Sequence, residues 1–94
     1  AVTAQSVRRY VECAAAALEI VDSRIAGWDI TLGDTIADNA SSGLYALGDT
    51  VPADSLPNLS AVTMSMTENG EVVSNGVGAA CLGSPWEALA WLAN

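Results

Sequence analysis

The chain has 94 residues, of which 51% are hydrophobic and 15% charged, and its formal net charge is −8. This composition suits a folded core and excludes intrinsic disorder, although a chain of this length buries only a modest core. Only Arg8, Arg9 and Arg24 carry a fixed positive side-chain charge, which excludes a surface that follows nucleic-acid phosphates. No apolar run reaches the roughly 18 residues that span a membrane, so we predict no membrane partner.

The first predicted element is an amphipathic helix from Thr3 to about Ala14, with Thr3 as its N-cap. A strand from about Ala16 to Asp22 follows, because the run Leu-Glu-Ile-Val has the apolar, β-branched character of a buried strand. Glu19 lies inside this run. Helix therefore passes directly into strand, with a single carboxylate in the middle of that strand.

Glu19 is the residue on which the functional prediction depends. An unpaired carboxylate is too costly to bury, so a buried Glu19 needs a basic side chain, a proton or a hard divalent cation held by oxygen ligands. The alternative is the edge of a sheet, where the carboxylate of Glu19 reaches water. Composition alone favours that alternative, because most charged side chains are solvated.

The middle of the chain predicts a loop, a short helix and a short strand. Thr31 is suited to cap the helix, Asp34 stands in its first turn, and the helix should end near Ala40. Ser41-Ser42-Gly43 predicts a turn before a strand that covers residues 44–47 and stops at Gly48. Residues 49–57, with two prolines and no apolar period, predict a surface loop.

The last third predicts a hairpin and a helix. Residues 61–67 alternate in polarity and place Met64 and Met66 on a buried face, and Asn69-Gly70 is a strong turn signal before a return strand over residues 71–74. Ser84-Pro85-Trp86-Glu87 has the pattern of a capping box at the start of a helix. The chain is therefore predicted to be α+β, with a mainly antiparallel sheet and flanking helices.

Three separated blocks carry a family resemblance: residues 19–24 followed by Trp28, residues 34–43, and residues 80–85. In this order they resemble the 2-keto-4-pentenoate (2-hydroxypenta-2,4-dienoate) hydratases of the fumarylacetoacetate hydrolase superfamily. The resemblance implies a mixed, mainly antiparallel β-roll with flanking helices. It implies that residues 1–94 are part of a single catalytic domain, an internal or C-terminal-half piece of a longer cytoplasmic protein that forms homo-oligomers. Free Cys13 and Cys81 fit a reducing cytosol.

The resemblance also implies a site. Members hold Mg²⁺ or Mn²⁺ with three acidic side chains, and Glu19 matches the one in the Leu-Glu-Ile-Val strand. The Glu-x-Glu pair has no match, so the isolated segment is expected to be inactive. Asp38 and Asn39 are the predicted catalytic residues, with helix-end capping as the alternative. Ser41 and Arg24 are predicted to bind substrate, and Arg24 is alternatively a salt-bridge partner of Asp22 or Glu19.

The implied activity is that of a lyase that adds water to 2-hydroxypenta-2,4-dienoate and gives 4-hydroxy-2-oxopentanoate, in the meta-cleavage catabolism of aromatic or steroid rings. The implied partner is thus a small 2-oxo or 2-hydroxy dienoic acid. The nearest alternative is 4-oxalocrotonate decarboxylase, and hydrolysis of the fumarylacetoacetate type ranks third. A non-catalytic assembly module is the alternative from another class.

Overall fold

A computed structural model describes all 94 residues. Short 3₁₀ turns join seven regular elements, and the strands form two two-stranded sheets, β1–β2 and β3–β4. The elements in chain order are α1 (Ala4–Val7), β1 (Cys13–Val21), α2 (Leu32–Ala37), β2 (Ser42–Pro52), β3 (Thr63–Glu68), β4 (Glu71–Val77) and α3 (Pro85–Ala93). Two compact units result: Ala15–Thr50 is one, and Ala1–Ala14 with Val51–Asn94 is the other. The predicted mixture of helices and antiparallel sheet is confirmed.

The first helix is shorter than predicted. Thr3 is its N-cap: the Ser6 N–H donates to Thr3 Oγ1 at 3.1 Å, and the Thr3 N–H donates to Ser6 Oγ at 2.9 Å. After α1 a 3₁₀ turn ends at Tyr10, and β1 begins at Cys13, so the predicted extension to Ala14 is wrong. The Glu12 C=O accepts a hydrogen bond from the Ala53 N–H at 2.9 Å. Cross-strand pairing at this point overrides the helical preference of the alanines.

In the Ala15–Thr50 unit, β2 runs past the predicted stop. The strand continues through Gly48 to Pro52, so the loop predicted from Asp49 begins later. Gly48 lies opposite Ala16, where an added Cβ would make ordinary van der Waals contacts, and Gly43 lies opposite Ile20. The two strands are therefore antiparallel. Gly48 therefore sits inside a paired strand, where pairing outweighs its weak strand preference.

The β1 strand is not buried. Leu18, Ile20 and Val21 are 50%, 46% and 53% exposed, and Glu19 is exposed as well. The prediction of a buried strand is therefore wrong for this chain. Glu19 reaches water, in agreement with the alternative prediction of a position at the edge of a sheet, and carries no burial penalty here.

The other unit contains α1, α3 and the β3–β4 hairpin. Val7 of α1 and Ala90 of α3 are buried, and the two helices pack together. Ser84 caps α3 as predicted, but its Oγ accepts from the Trp86 N–H at 3.2 Å rather than from the Glu87 N–H. The Asn94 side chain joins the end of α3 to the Val2 backbone with two hydrogen bonds of 2.8 Å.

The Asn69-Gly70 hairpin is confirmed. Both turn residues have positive φ, 51° and 86°, and Glu68 pairs with Glu71 across an antiparallel ladder. The return strand runs on to Val77 instead of ending at residue 74. Met64 and Met66 are 60% and 47% exposed, so their predicted place in a core is wrong for this chain.

Candidate functional site

All five residues predicted for the site lie in the Ala15–Thr50 unit. Glu19 is on β1, Arg24 follows the end of β1, and Asp38, Asn39 and Ser41 connect α2 to β2. One compact unit therefore carries all the residues that were predicted for the site. The distances between them show which of them are in contact.

Asp38 lies at the C-terminal end of α2, whose N-terminal end is capped by Thr31. The Asp34 N–H donates to Thr31 Oγ1 at 3.2 Å, and Asp34 Oδ2 accepts from the Thr31 N–H and hydroxyl at 2.9 and 2.7 Å. The predicted cap is confirmed. The helix ends at Ala37, three residues before the predicted end, and Asp38 is its C-cap. Asp38 therefore stands at the junction between helix and turn.

We expect Thr31→Ala to destabilise the fold by about 1 kcal/mol near neutral pH, the usual cost of losing an N-cap hydroxyl. The Thr31 backbone N–H and then its hydroxyl lower the pKa of the Asp34 carboxyl. A lowered carboxyl pKa stabilises the fold above the unfolded pKa of about 3.9, and this stabilisation is lost as the pH falls through the folded pKa. Thr31→Ala removes the share of this stabilisation that comes from the hydroxyl. The difference in free energy of unfolding between variant and wild type should therefore narrow in acid. Urea unfolding at pH 7 and pH 3 checks this.

Thr35→Ala is the matched control, because Thr35 lies inside the same helix and does not bond Asp34. Its effect should stay within about 0.5 kcal/mol. Equal stability of Thr31→Ala and Thr35→Ala at pH 7 would contradict the capping role of Thr31.

Arg24 and Asp38 form an ion pair. Arg24 Nε lies 3.2 Å from Asp38 Oδ1, and the Arg24 backbone N–H donates to Asp38 Oδ2 at 3.1 Å. The Asp38 side chain is only 8% exposed, whereas that of Arg24 is 58% exposed. Arg24 therefore forms a salt bridge, but with Asp38, and the predicted partners Asp22 and Glu19 were wrong. The separation of 14 positions hid this pairing from local sequence patterns.

Asn39, Ala40 and Ser41 form a turn in an unfavourable backbone conformation. Their φ angles are 51°, 56° and 57°, in the left-handed region that costs non-glycine residues roughly 1 kcal/mol each. Backbone hydrogen bonds hold the turn: the Ser41 N–H donates to the Asp38 C=O at 3.0 Å, and the Asp22 N–H donates to the Ser41 C=O at 2.7 Å. The Ser42 N–H also donates to the Asn39 C=O. Such conformations persist where neighbouring contacts fix them, and they concentrate at functional sites.

Ser41 is the one buried polar residue of the chain, with 4% exposure, and its Oγ has no hydrogen-bond partner. An unsatisfied buried hydroxyl costs about 1–3 kcal/mol, so native proteins rarely keep one without a reason. The sequence did not indicate this burial, because Ser41 stands in a polar turn motif. Ser41 therefore keeps a buried hydroxyl whose hydrogen-bonding capacity is unused within the chain.

A pocket of about 360 Å³ lies beside this turn in the same unit. Its walls are Ile20, Val21, Asp22, Arg24, Gly43 and Leu44. Arg24 is the only basic residue among them, so the pocket combines apolar strand residues with a single guanidinium. Gly43 was not predicted for the site, yet a Cβ there would lie 2.8 Å from the Ile20 carbonyl oxygen. Its only signal in the sequence is a glycine at the start of a strand.

The donors for a metal ion are incomplete in this chain. Glu19 offers a carboxylate, the oxygen ligand that Mg²⁺ and Mn²⁺ prefer, and its exposure leaves it accessible. No group of three or more His, Cys, Asp or Glu side chains is arranged to hold a metal. The chemistry of Glu19 fits a hard cation, and further ligands would come from elsewhere. None of the helices is both long enough and apolar enough to cross a membrane.

Comparison with known proteins decides the family. The sequence pattern described as "Fumarylacetoacetate (FAA) hydrolase C-terminal" matches residues 1–94. The chain belongs to the fumarylacetoacetate hydrolase family. A 2-keto-4-pentenoate hydratase of Paraburkholderia xenovorans (strain LB400) is 53% identical over 91 residues, 97% of this chain and 34% of that protein. A 2-hydroxypent-2,4-dienoate hydratase of Pseudomonas putida is 46% identical over 93 residues, 99% of this chain and 42% of that protein.

A solved structure shares the fold of this chain. The 4-oxalocrotonate decarboxylase of Pseudomonas putida G7, complexed with magnesium and adipate, has a TM-score of 0.86 and 32% identity. The match covers 98% of this chain and 35% of the decarboxylase. The predicted family and fold class are thereby confirmed. The chain spans about a third of the length of the relatives it matches.

Proposed function

We propose that the protein containing this chain is a hydro-lyase that adds water to 2-hydroxypenta-2,4-dienoate and gives 4-hydroxy-2-oxopentanoate, a step of aromatic meta-cleavage catabolism. The observation that carries the proposal is the 53% identity over 97% of the chain to a hydratase. The 32% identity to the decarboxylase is lower. Residues 1–94 would form part of a single catalytic domain of the fumarylacetoacetate hydrolase type.

The substrate is an anion, and a chain with net charge −8 needs a local cation to receive it. Arg24 supplies that charge in the pocket wall, and its exposed side chain supports a role in binding the substrate carboxylate. The unpartnered Ser41 Oγ supports a hydrogen bond to the substrate. Asn39, next to Asp38 in the strained turn, is proposed to orient water.

Glu19 is the proposed ligand of Mg²⁺ or Mn²⁺, together with acidic side chains outside this chain. When bound, such an ion polarises the oxygens of a 2-oxo acid. Magnesium in the related decarboxylase supports this choice of metal. Alone, Glu19 does not make a useful magnesium site, so the 94-residue segment should be inactive by itself.

The protein is further proposed to be a cytoplasmic homo-oligomer. Support comes from two free and exposed thiols, Cys13 and Cys81, which suit a reducing compartment. Support also comes from the exposure of large apolar side chains, which favours association. Examples are Leu44, Tyr45, Leu47 and Val72.

The test uses the full-length protein that contains this chain, with Mg²⁺ and two substrates in parallel. Hydration is followed as loss of the absorbance of 2-hydroxypenta-2,4-dienoate, and decarboxylation as release of CO₂ from 4-oxalocrotonate. We expect dienoate loss without CO₂. Release of CO₂ would move the protein to the decarboxylases, a second candidate that the TM-score of 0.86 favours. Silence on both substrates would favour a non-catalytic assembly module.

A further inference from the structure

The contacts of Asp38 form a closed ring around the end of β1. Its carboxylate binds the Arg24 backbone N–H and Nε, and Arg24 Nη1 donates to the Asp22 C=O at 3.1 Å. The Asp22 N–H donates to the Ser41 C=O, and the Ser41 N–H returns to the Asp38 C=O. The ring consists of four residues: Asp22, Arg24, Asp38 and Ser41. Asp38 therefore holds the side chain of Arg24 through its carboxylate and the main chain of Ser41 through its carbonyl.

We infer that Asp38 is a positioning residue: its carboxylate aims Arg24 at the substrate without itself touching the substrate. This inference rests on the proposed function and narrows the catalytic role that the sequence suggested for Asp38. Asp38 Oδ2 already accepts a hydrogen bond from the Arg24 backbone N–H, Oδ1 is paired with Arg24 Nε at 3.2 Å, and the side chain is only 8% exposed. A carboxylate used in this way is poorly placed to exchange protons with a substrate.

The ring also accounts for the strained turn. Three successive residues with positive φ need contacts that hold them in place. Ser41 has both of its backbone groups bound, one to Asp38 and one to Asp22, and Arg24 bonds both of those residues. Loss of the Asp38 charge would release the Arg24 guanidinium from its carboxylate partner, so the effects of changes at Asp38 and Arg24 should not add.

The test is a double-mutant cycle between Asp38→Asn and Arg24→Gln in the full-length protein with Mg²⁺. The readouts are kcat and KM for 2-hydroxypenta-2,4-dienoate, the pH–rate profile, and calorimetric binding of adipate. We expect each single change to lower kcat/KM roughly 10²-fold, the cost of misplacing binding groups by about 1 Å. The double variant should be within about threefold of Arg24→Gln, because coupled residues are not additive. The pH–rate profiles of the variants should keep both the acidic and the alkaline fall in rate that the wild type shows.

The matched control is Asp34→Asn, the same change in the first turn of the helix that Asp38 caps, at a carboxylate that bonds Thr31. It weakens the helix cap but should leave kcat, KM and adipate binding unchanged. If Asp38→Asn is isolated unfolded, Asp38→Glu, which keeps the charge opposite Arg24, replaces it in the cycle. A smaller loss with the same lack of additivity is then expected.

Three results would overturn the inference: additive losses in the cycle, loss of one limb of the pH profile in Asp38→Asn, or no effect of Asp38→Asn at all. The second result would make Asp38 a proton carrier. Failure of the proposed function gives a different pattern, because the wild type then does not hydrate the dienoate. In that event the adipate affinities of the four proteins still decide whether Asp38 acts through Arg24.

Discussion

Glu19→Gln should lower kcat for hydration of 2-hydroxypenta-2,4-dienoate by the full-length protein roughly 10²-fold or more at a fixed Mg²⁺ concentration. Even changes to the partners of metal ligands cost about 10–100-fold, and this change replaces an anionic ligand by a neutral amide. Mg²⁺ binding, measured by calorimetry, should weaken in parallel. The Glu19 side chain is exposed, so the stability of the fold should change by less than about 0.5 kcal/mol.

Glu71→Gln is the matched control for this prediction. Glu71 is also an exposed glutamate on a strand, but it follows the hairpin turn of the other unit. It should leave both activity and Mg²⁺ affinity unchanged. If Glu19→Gln kept the Mg²⁺ affinity of the wild type, Glu19 would not be a ligand and the proposed metal site would be rejected.

Gly78→Ala should have the largest effect on stability. Gly78 is buried, and a Cβ there would overlap the Leu59 carbonyl oxygen and lie 2.9 Å from the Leu59 carbonyl carbon. These are backbone atoms, which cannot rotate away as a side chain does. The Gly78 N–H also donates to the Val62 C=O at 2.8 Å, so the segment cannot shift without losing that bond.

Overpacking of this kind costs typically about 1–3 kcal/mol, and occasionally more, which is a large share of the roughly 5–15 kcal/mol that stabilises a domain. We expect Gly78→Ala to lower the urea midpoint strongly or to prevent folding. Gly76→Ala is the control two residues earlier, where a Cβ meets nothing within 4 Å. Equal midpoints for the two variants would show that Gly78 does not approach Leu59 in solution.

Local features of the fold were predictable because their causes are local. The Thr31–Asp34 cap and the Asn69-Gly70 turn depend on residues no more than three positions apart, and both are present. The start of α3 after Ser84 is of the same kind. The predictions were wrong where pairing with distant residues determines the structure, as in the extension of β2 beyond Gly48.

The candidate site shows the same difference between features with local causes and features that depend on distant residues. Its five residues were named from a resemblance, and all five lie in one unit. The ion pair between Arg24 and Asp38, the burial of Ser41 and the close approach of Gly43 to Ile20 were not foreseen. Each depends on which distant segment lies next to it, and no local pattern carries that information.

The sequence by itself determined the family, the helix caps and the hairpin turn, because motif residues and short-range hydrogen bonds are properties of neighbouring positions. Only the tertiary structure decided that Glu19 is exposed, that Arg24 binds Asp38, and that Ser41 keeps a buried hydroxyl without a partner. Burial and ion pairing between segments 14 positions apart depend on the folded arrangement of the chain. Many pairings are compatible with the same local sequence, and packing selects one of them.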